Sequence, residues 1–412
     1  MNKYHTHEIA CFLDDVYNRV ADVYVETSVL AAVRGYSAYD LVDKECWAFF
    51  CSVVDFGMSV RRKLLPMLLK FIKEIEKRRL KFIDLVEDDK LSRELLEASD
   101  FRHRLLRNED LIALVCSIRD ILSEYGSLGN LVEMLYSKAA KLYTEPMEYV
   151  VKEFARTMRE NLIARTKDKR RVSLMIPNPD KDSAFKRINL FMRWMARPYP
   201  DLGLWKFIDY SHLFVSLDTG IVRVVKRFFK IKSGIQTNWR GVKIVTQIFR
   251  QIDSEDPTKY DYVFSRPMIM GYCRRNLDES RCYLCPLWEL CKSVVRTKLP
   301  RGKKKLSKHE EKIFKRFYGR YASKLLFKKI CKEYPIDSRS IDVLGIDMHG
   351  NVYVIEVERK LTYEAIGQAV IYRSLYHERK GIRPKAMIVC ESASKDLEEI
   401  CKIDANIDVV VV

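Results

Sequence analysis

The spacing of apolar residues changes once along this chain, near residue 307, and this change limits the folds available to it. Before that point apolar side chains recur at intervals of three and four, as in Leu68, Ile72 and Ile75, which is typical of amphipathic helices. After it, short apolar runs such as Ile341–Ile346 and Val352–Val357 alternate with helical segments. We therefore expect an all-α domain followed by a smaller α/β domain.

The boundary between the two domains is predicted from a Pro, a Gly and a cationic run at 297–306. This linker separates a helical domain, 1–296, from an α/β domain, 307–412. Within the first domain, one helix is expected to follow an N-cap at Asp182 or Ser183. The elements predicted for the second domain are a helix over 307–331, strands Ile341–Ile346 and Val352–Val357, a helix over 362–379, a strand Ala386–Cys390, a helix over 394–402 and a strand over 407–412.

The charge of the chain points to a polyanionic partner. Lys and Arg number 74 against 56 Asp and Glu, so the formal net charge is +18. The segment 297–334 alone holds 14 Lys or Arg against 3 Asp or Glu, including Lys303, Lys304 and Lys305. Such a surplus attracts nucleic acid, because contacts from Lys and Arg to phosphate supply much of its affinity. We predict double-stranded DNA as the partner, with a generally basic, solvated surface as the alternative.

The sequence gives no indication of a membrane location. No uncharged apolar run approaches the roughly 18 residues that a membrane-spanning helix needs. The N-terminal residues lack the pattern of a signal peptide. A cytoplasmic protein is therefore expected, and its oligomeric state stays open.

Four of the eleven cysteines lie within nineteen residues, in the pattern Cys273-x8-Cys282-x2-Cys285-x5-Cys291. Disulfides are not expected in a cytosolic chain, and four thiolates so close in sequence can hold a soft metal centre. Zinc sites commonly use two short Cys-x-x-Cys pairs, and only one is present here. The spacing therefore favours a 4Fe–4S cluster, with zinc or unligated thiols as alternatives.

This cysteine spacing resembles the cluster loop of the endonuclease III and adenine glycosylase branch of the helix-hairpin-helix DNA glycosylases, with a first gap two residues longer. The resemblance implies that the loop presents its cations to DNA phosphates. The cations in question are Arg274, Arg275 and Arg281.

A second feature lies in an amphipathic segment, Ser183–Arg197, and in the stretch Leu217-Asp218-Thr219-Gly220. Lys186, Arg193 and Arg197 share one face of the predicted helix, so the two arginines are candidates for DNA contact. The stretch around Asp218 resembles the element that carries the catalytic aspartate in helix-hairpin-helix glycosylases. The segment from about residue 10 to about residue 295 also resembles a family of uncharacterised helical microbial proteins related to those glycosylases.

The glycosylase resemblance implies roles for two residues. Lys186 would attack C1′ of a damaged nucleotide and form a Schiff base, and Asp218 would stabilise the positive charge that develops on the sugar. The target base would leave the helical stack and enter a pocket. Alternatively, Lys186 contacts phosphate and Asp218 caps a helix.

The C-terminal region, of about 305–412, resembles the PD-(D/E)xK nuclease fold. A hairpin centred near His349 would set Asp342 opposite Glu356, and two such carboxylates can hold Mg²⁺ or Mn²⁺. Glu358 occupies the usual lysine position, and Lys360 lies two residues further on the same face. Further candidates for the site are Gln368, Glu310 and Glu311.

Together these features predict a DNA repair protein that couples lesion recognition to metal-dependent strand cleavage. The predicted activities are endonuclease, DNA glycosylase with abasic-site lyase, or both. One alternative is an endonuclease whose glycosylase-like domain serves only recognition. The other is a non-catalytic, architectural DNA-binding protein that keeps both folds.

Overall fold

A computed structural model of the chain describes residues 3–38, 40–166, 168–282, 285–288, 290–293, 306–337, 339–380 and 382–412. The chain separates into two compact units. The first comprises the residues up to Cys11 together with Ala21–Arg223 and Lys232–Tyr262. The second comprises Phe12–Val20, Val224–Ile231 and Val263–Val412.

In the described part of the chain before residue 270, the regular secondary structure consists of helices. Its helices are α1 (Lys3–Thr27), α2 (Val29–Gly35), α3 (Leu41–Val54), α4 (Leu65–Lys77), α5 (Phe82–Glu87), α6 (Asp89–Ala98), α7 (Asn108–Tyr125), α8 (Leu128–Ala140), α9 (Pro146–Arg165), α10 (Lys169–Met175), α11 (Lys186–Ala196), α12 (Thr219–Phe229), α13 (Trp239–Arg250) and α14 (Tyr260–Ile269). Short helical turns lie at Val60–Leu64, Tyr210–His212, Pro257–Lys259 and Leu277–Glu279.

Aromatic residues form much of the core of the first unit. Trp47 on α3 is fully buried, and its ring centroid lies 5.2 Å from that of Phe82 on α5. Phe50 and Phe71 pack against the same indole at 5.8 and 6.1 Å. Burial of such rings supplies much of the apolar contact that holds short helices together. Helix α7 ends at Gly126, whose φ of +79° is readily adopted by glycine.

The N-cap predicted at Asp182 or Ser183 is wrong. Helix α11 begins three residues later, at Lys186, and Phe185 before it has a left-handed φ of +47°. The Asp182 carboxylate instead accepts hydrogen bonds from the Trp239 N–H, at 2.9 Å, and from Asn238 Nδ2, at 2.7 Å. It therefore fastens the start of α13, a partner far away in sequence.

The second unit contains a five-stranded mixed sheet in the order β1-β2-β3-β4-β5. The first three strands pair antiparallel, and the last three pair parallel. The strands are β1 (Phe327–Ile336), β2 (Arg339–Asp347), β3 (Val352–Lys360), β4 (Lys385–Ser392) and β5 (Ile407–Val411). The accompanying helices are α15 (Lys308–Leu325), α16 (Tyr363–Lys380) and α17 (Lys395–Glu399), with a π-helical segment at Ile400–Ala405.

The predicted combination of an α region and an α/β region is confirmed, and one element differs. The helix expected over 307–331 ends at Leu325, and strand β1 follows from Phe327. Much of β1 is exposed at the edge of the sheet, so its sequence lacks the apolar alternation of a half-buried strand.

The sheet is covered on both faces. Ile313, Phe314 and Phe317 of α15 pack against the face that carries Tyr353, Ile355 and Val357. Ala365, Ile366 and Ala369 of α16 pack against the other face, with Ile388 and Cys390. Because side chains alternate along a strand, Val354 and Glu356 of β3 belong to the α16 face.

The predicted linker at 297–306 lies outside the described residues except for Leu306, so the domain boundaries stay predictions. The four clustered cysteines belong to the second unit, with the sheet, although the sequence assigned them to the helical domain. Within the described part of the chain, no helix is long and apolar enough to cross a membrane.

Candidate functional site

Two carboxylates meet where the pairing of β2 with β3 ends. The ladder ends at Val343 and Ile355, and the next opposed positions are Asp342 and Glu356. The Asp342 N–H donates to Glu356 Oε1 at 3.4 Å, and the Val357 N–H donates to Asp342 Oδ2 at 3.0 Å. At this point side-chain oxygens, instead of backbone carbonyl groups, accept the hydrogen bonds between the two strands. These bonds fix the two carboxylates beside each other. The structure therefore places Asp342 and Glu356 as the sequence predicted.

Both carboxylates are buried, on the sheet face that α16 covers. The exposed fraction is 2% for Asp342 and 0% for Glu356. Tyr372 of α16 is also fully buried, and its pKa is raised by burial and by the negative charges of Glu356 and Asp342. Gln368 lies one helical turn before Tyr372 and is buried as well. Tyr372 follows Gln368 by four residues, so the two side chains lie on one face of α16.

Lys360, the cationic residue predicted for this site from the same strand, lies at the end of β3. Along β3, burial falls from Glu356 to the half-buried Glu358 and the exposed Lys360. Lys360 pairs with Ser392, at the end of β4. Glu358 therefore stands between the buried carboxylates and an exposed ammonium group.

The two acidic residues suggested from α15 have other partners. Glu310 accepts a hydrogen bond from the Ser307 N–H at 2.8 Å and so caps the start of α15. Glu311 forms an ion pair with Lys332 of β1 at 3.7 Å.

The donor set of the carboxylate pair fits a hard divalent cation. Mg²⁺ is commonly held by one or two carboxylates, with waters and substrate phosphates completing its shell. Asp342 and Glu356 supply two such carboxylates from rigid strands. Across the residues that the structure describes, no group of three His, Cys, Asp or Glu side chains could hold a metal ion.

The four clustered cysteines line one cavity of the second unit. Cys273, Cys282, Cys285 and Cys291 line one small cavity of about 20 Å³. Burial raises the pKa of the Cys285 thiol well above its ordinary value, and the neighbouring Cys thiols raise it further. Burial likewise raises the pKa of Cys291 to about 11. The predicted quartet is therefore assembled around a shared space.

Arg227 of α12 fastens the segment that carries these cysteines. Its guanidinium donates to Cys273 Sγ at 3.1 Å, to the Arg274 carbonyl at 2.6 Å and to the Arg275 carbonyl at 2.9 Å. Ser293, beyond the last cysteine, donates through Oγ to the Arg227 carbonyl at 2.8 Å. Sequence reasoning missed Arg227, because it lies 46 residues before Cys273.

The cations proposed for DNA contact near the cysteines are exposed. Arg274, Arg275 and Arg281 all lie at the surface, and the Arg281 guanidinium lies 5.5 Å above the Tyr363 ring. Lys303, Lys304 and Lys305 lie outside the described residues.

A lysine lies between two aspartates in the first unit. Lys186 Nζ is 3.4 Å from Asp218 Oδ2 and 3.9 Å from Asp55 Oδ2. Asp218 also caps α12, since its Oδ1 accepts a hydrogen bond from the Ile221 N–H at 2.8 Å. Asp55 follows the end of α3 and was not predicted, because only the fold brings it to the lysine.

The structure contradicts the predicted DNA contacts of Arg193 and Arg197. Both guanidinium groups are buried in an ion-pair network. Arg193 pairs with Asp261 at 3.1 Å and with Asp201 at 3.5 Å. Arg197 pairs with Asp201 at 3.2 Å and with Asp256 at 2.7 Å. Charges that are buried and compensated inside the protein are not available to phosphate.

Comparison with protein-family models shows the family to which this chain belongs. Residues 33–270 match the family described as "Protein of unknown function (DUF2400)". The chain belongs to this family. The matched range contains Asp55, Lys186 and Asp218 of this chain, and it ends before Cys273 and before the C-terminal sheet.

The chain was also compared with curated proteins and with solved structures. The chain matches none of the curated proteins with which it was compared. Among solved structures, it is similar to a repair endonuclease from Pyrococcus abyssi, with 21% identity and a TM-score of 0.23. That match covers 27% of this chain and 49% of the endonuclease chain, about half its length.

Proposed function

We propose that this protein is a DNA-processing enzyme whose C-terminal unit hydrolyses phosphodiester bonds with a divalent cation. The observation that carries the proposal is the meeting of Asp342 with Glu356 at the end of the β2–β3 ladder. The fold of this unit is proposed to be of the PD-(D/E)xK type. The net charge of +18 favours a polyanionic substrate, for which we propose double-stranded DNA.

Each residue of the proposed nuclease site has a task that its position supports. Asp342 and Glu356 would hold Mg²⁺ or Mn²⁺ with their carboxylate oxygens. When bound, the cation would supply Lewis-acid activation of water and stabilise the charge on the leaving oxygen. Gln368 and Tyr372 would orient the carboxylates from α16. Lys360 would contact the substrate phosphate from the exposed end of β3.

Cleavage of DNA by the full-length protein tests this proposal. Intact and lesion-bearing duplexes are incubated with the protein and Mg²⁺ or Mn²⁺, with and without a chelator. We expect strand cleavage that needs the cation and is lost in Glu356→Gln. As a matched control, Glu391→Gln alters a carboxylate of β4 that pairs with His309 at 2.9 Å. Salt-sensitive DNA binding without cleavage of any duplex would instead support the non-catalytic, architectural alternative.

A second candidate activity, base excision, is favoured by the 3.4 Å contact of Lys186 with Asp218. The neutral amine of Lys186 would attack C1′ as the C1′–N bond to the base breaks and its electron pair leaves with the base. Loss of a proton from nitrogen and opening of the sugar ring then give the imine. Asp218 and Asp55 would stabilise positive charge at the sugar and the amine. In this scheme the helical unit is proposed to be glycosylase-like.

Trapping of the imine tests base excision independently of the nuclease. Reduction with borohydride during incubation with lesion-bearing DNA should give a covalent adduct, which Lys186→Ala should abolish. Lys243→Ala is a suitable control, since Lys243 is also in the first unit and pairs with Glu148 at 3.3 Å. If no adduct forms with any lesion, the helical unit serves recognition only.

We also propose that the cysteine quartet holds a 4Fe–4S cluster. Four cysteines line one cavity, and the presence of one short Cys-x-x-Cys pair instead of two favours a multi-atom cluster over zinc. Iron and sulfide analysis of anaerobically purified protein, with absorbance near about 400 nm, distinguishes the two metals. Cys331→Ser, which alters a half-buried cysteine of β1, serves as the control variant.

A further inference from the structure

The cysteine-bearing segment packs directly against helix α16. Tyr272 and Trp288 are buried in one apolar cluster with Ala365, Ala369 and Val370 of that helix. Cys282 and Cys285 also pack against this cluster. Two of the four proposed ligands therefore belong to the same apolar core as α16.

One polar contact joins the cysteine-bearing segment to α16, and two others join Tyr272 and the residues before it to the π-helical segment Ile400–Ala405. Trp288 Nε1 donates to Ser374 Oγ of α16 at 3.3 Å. The Tyr272 hydroxyl donates to Asp404 Oδ2 at 2.8 Å. Arg266 Nε, six residues before Tyr272, donates to the other oxygen of the same carboxylate at 2.9 Å. All of these groups except Ser374 lie in the core of the second unit, where a hydrogen bond to a charged group counts most.

Different residues of helix α16 pack against the cysteine-bearing segment and against the strands of the sheet. Ala365, Ala369 and Val370 belong to the cluster that contains Trp288. Tyr372 packs in another cluster with Val354 of β3, the strand that carries Glu356, and the charges of Glu356 and Asp342 raise its pKa. One helix therefore packs both against the cysteine segment and against the strands that carry the carboxylate pair.

We propose that the cysteine centre acts as a clamp on α16, so that metal loading orders this helix and holds Tyr372 beside the carboxylates. The proposal rests on the proposed function in two respects, namely the metal centre at the cysteines and the carboxylates as the nuclease site. Apart from the helical turn Leu277–Glu279, most of the described residues of 273–293 lie in turns and loops. Closing this segment through a shared metal centre converts binding free energy into order of the segment and of the helix on which it packs.

Hydrogen–deuterium exchange on the full-length protein tests the clamp. Protein reconstituted anaerobically with iron and sulfide is compared with protein stripped by a chelator and a reductant. We expect the amides of α16 to exchange on the order of tenfold more slowly in the loaded protein, with α7 of the first unit unchanged. Equal exchange of α16 in the two states would overturn the proposal, as would a protein that binds neither iron nor zinc.

A variant separates the clamp from general unfolding of the stripped protein. Trp288→Phe keeps an aromatic ring in the core but removes the N–H that donates to Ser374. In loaded protein we expect unchanged iron content and faster exchange of α16, whereas Trp205→Phe in the first unit leaves α16 as it was. If loaded Trp288→Phe retains wild-type exchange in α16, the clamp is contradicted. Hydrogen exchange and iron content do not depend on nuclease activity. If both support the clamp but no DNA is cleaved, the nuclease proposal alone is refuted.

Discussion

Oδ2 of Asp342 accepts a hydrogen bond of 3.0 Å from the backbone N–H of Val357, on the neighbouring strand. This bond holds the aspartate in a fixed position relative to Glu356, the residue before Val357. It also gives the aspartate a structural task, because the N–H of Val357 is buried. Substitutions of Asp342 should therefore separate its structural contribution from its proposed metal-binding role.

We expect Asp342→Asn to lower metal-dependent cleavage by about a hundredfold or more while it preserves the fold, since an amide oxygen still accepts from Val357. Asp342→Ala should lower cleavage equally and also destabilise the protein by about 1–3 kcal/mol, because the buried N–H loses its partner. Cleavage assays and urea denaturation measure the two effects. An active Asp342→Asn protein would remove the aspartate from the proposed site.

Tyr372→Phe should lower cleavage by roughly tenfold, because it removes the polar hydroxyl on which the charges of Glu356 and Asp342 act to raise the pKa of Tyr372. Stability should change little, because this hydroxyl has no hydrogen-bond partner among the described residues. The comparison is with Tyr376→Phe, one helical turn further along α16. Tyr376 is buried beside Tyr334, with ring centroids 6.0 Å apart. Equal cleavage by the two variants would mean that Tyr372 only fills space.

The elements of the second unit could largely be predicted from the sequence, because its inner strands are apolar runs between turns. The pairing of Asp342 with Glu356 followed from the hairpin alone, since alternation and a short turn determine which residues oppose each other. Strand β1 could not be predicted in this way. Its exposed Lys residues resemble the solvent face of a helix, and only pairing with β2 identifies it as a strand.

Long-range partners explain what sequence reasoning missed in the first unit. The spacing of Arg193 and Arg197 correctly places them on one face of α11, but their partners Asp261 and Asp256 lie 68 and 59 residues away. The same applies to Asp55, which reaches Lys186 only because α3 packs against α11. Local pattern therefore identifies a helical face, and tertiary packing decides whether that face is solvent or core.

Arg193→Met should destabilise the first unit by about 3–5 kcal/mol, because it leaves Asp261 buried without its cationic partner. Burial already raises the pKa of Asp261, so the loss of Arg193 should favour its protonated form further. Chemical denaturation measures the change, with the exposed Arg240→Met as control. A stable Arg193→Met protein with weakened DNA binding would return this arginine to the DNA interface.

Asp55→Asn tests whether the lysine site uses both aspartates. We expect the yield of borohydride-trapped adduct to fall by roughly tenfold, because one of the two negative charges that stabilise a cationic intermediate is removed. Lys186 keeps its contact with Asp218 at 3.4 Å in this variant, so the fold should be preserved. Thermal denaturation checks the fold. An unchanged adduct yield would assign Asp55 to the structure of α3 alone.

Arg227→Gln should lower the reduction potential of the proposed cluster, because a hydrogen bond from a cation to a ligating sulfur stabilises the more negative, reduced state. The guanidinium donates to Cys273 Sγ at 3.1 Å, and glutamine carries no positive charge to replace it. Electrochemical titration of loaded protein measures the potential, and iron analysis shows whether the loop still holds its metal. The control is Arg275→Gln, because only the backbone carbonyl of Arg275 bonds to Arg227 and its side chain is exposed. Equal potentials in the two variants would show that Arg227 serves only to fasten the loop through the carbonyls of residues 274 and 275.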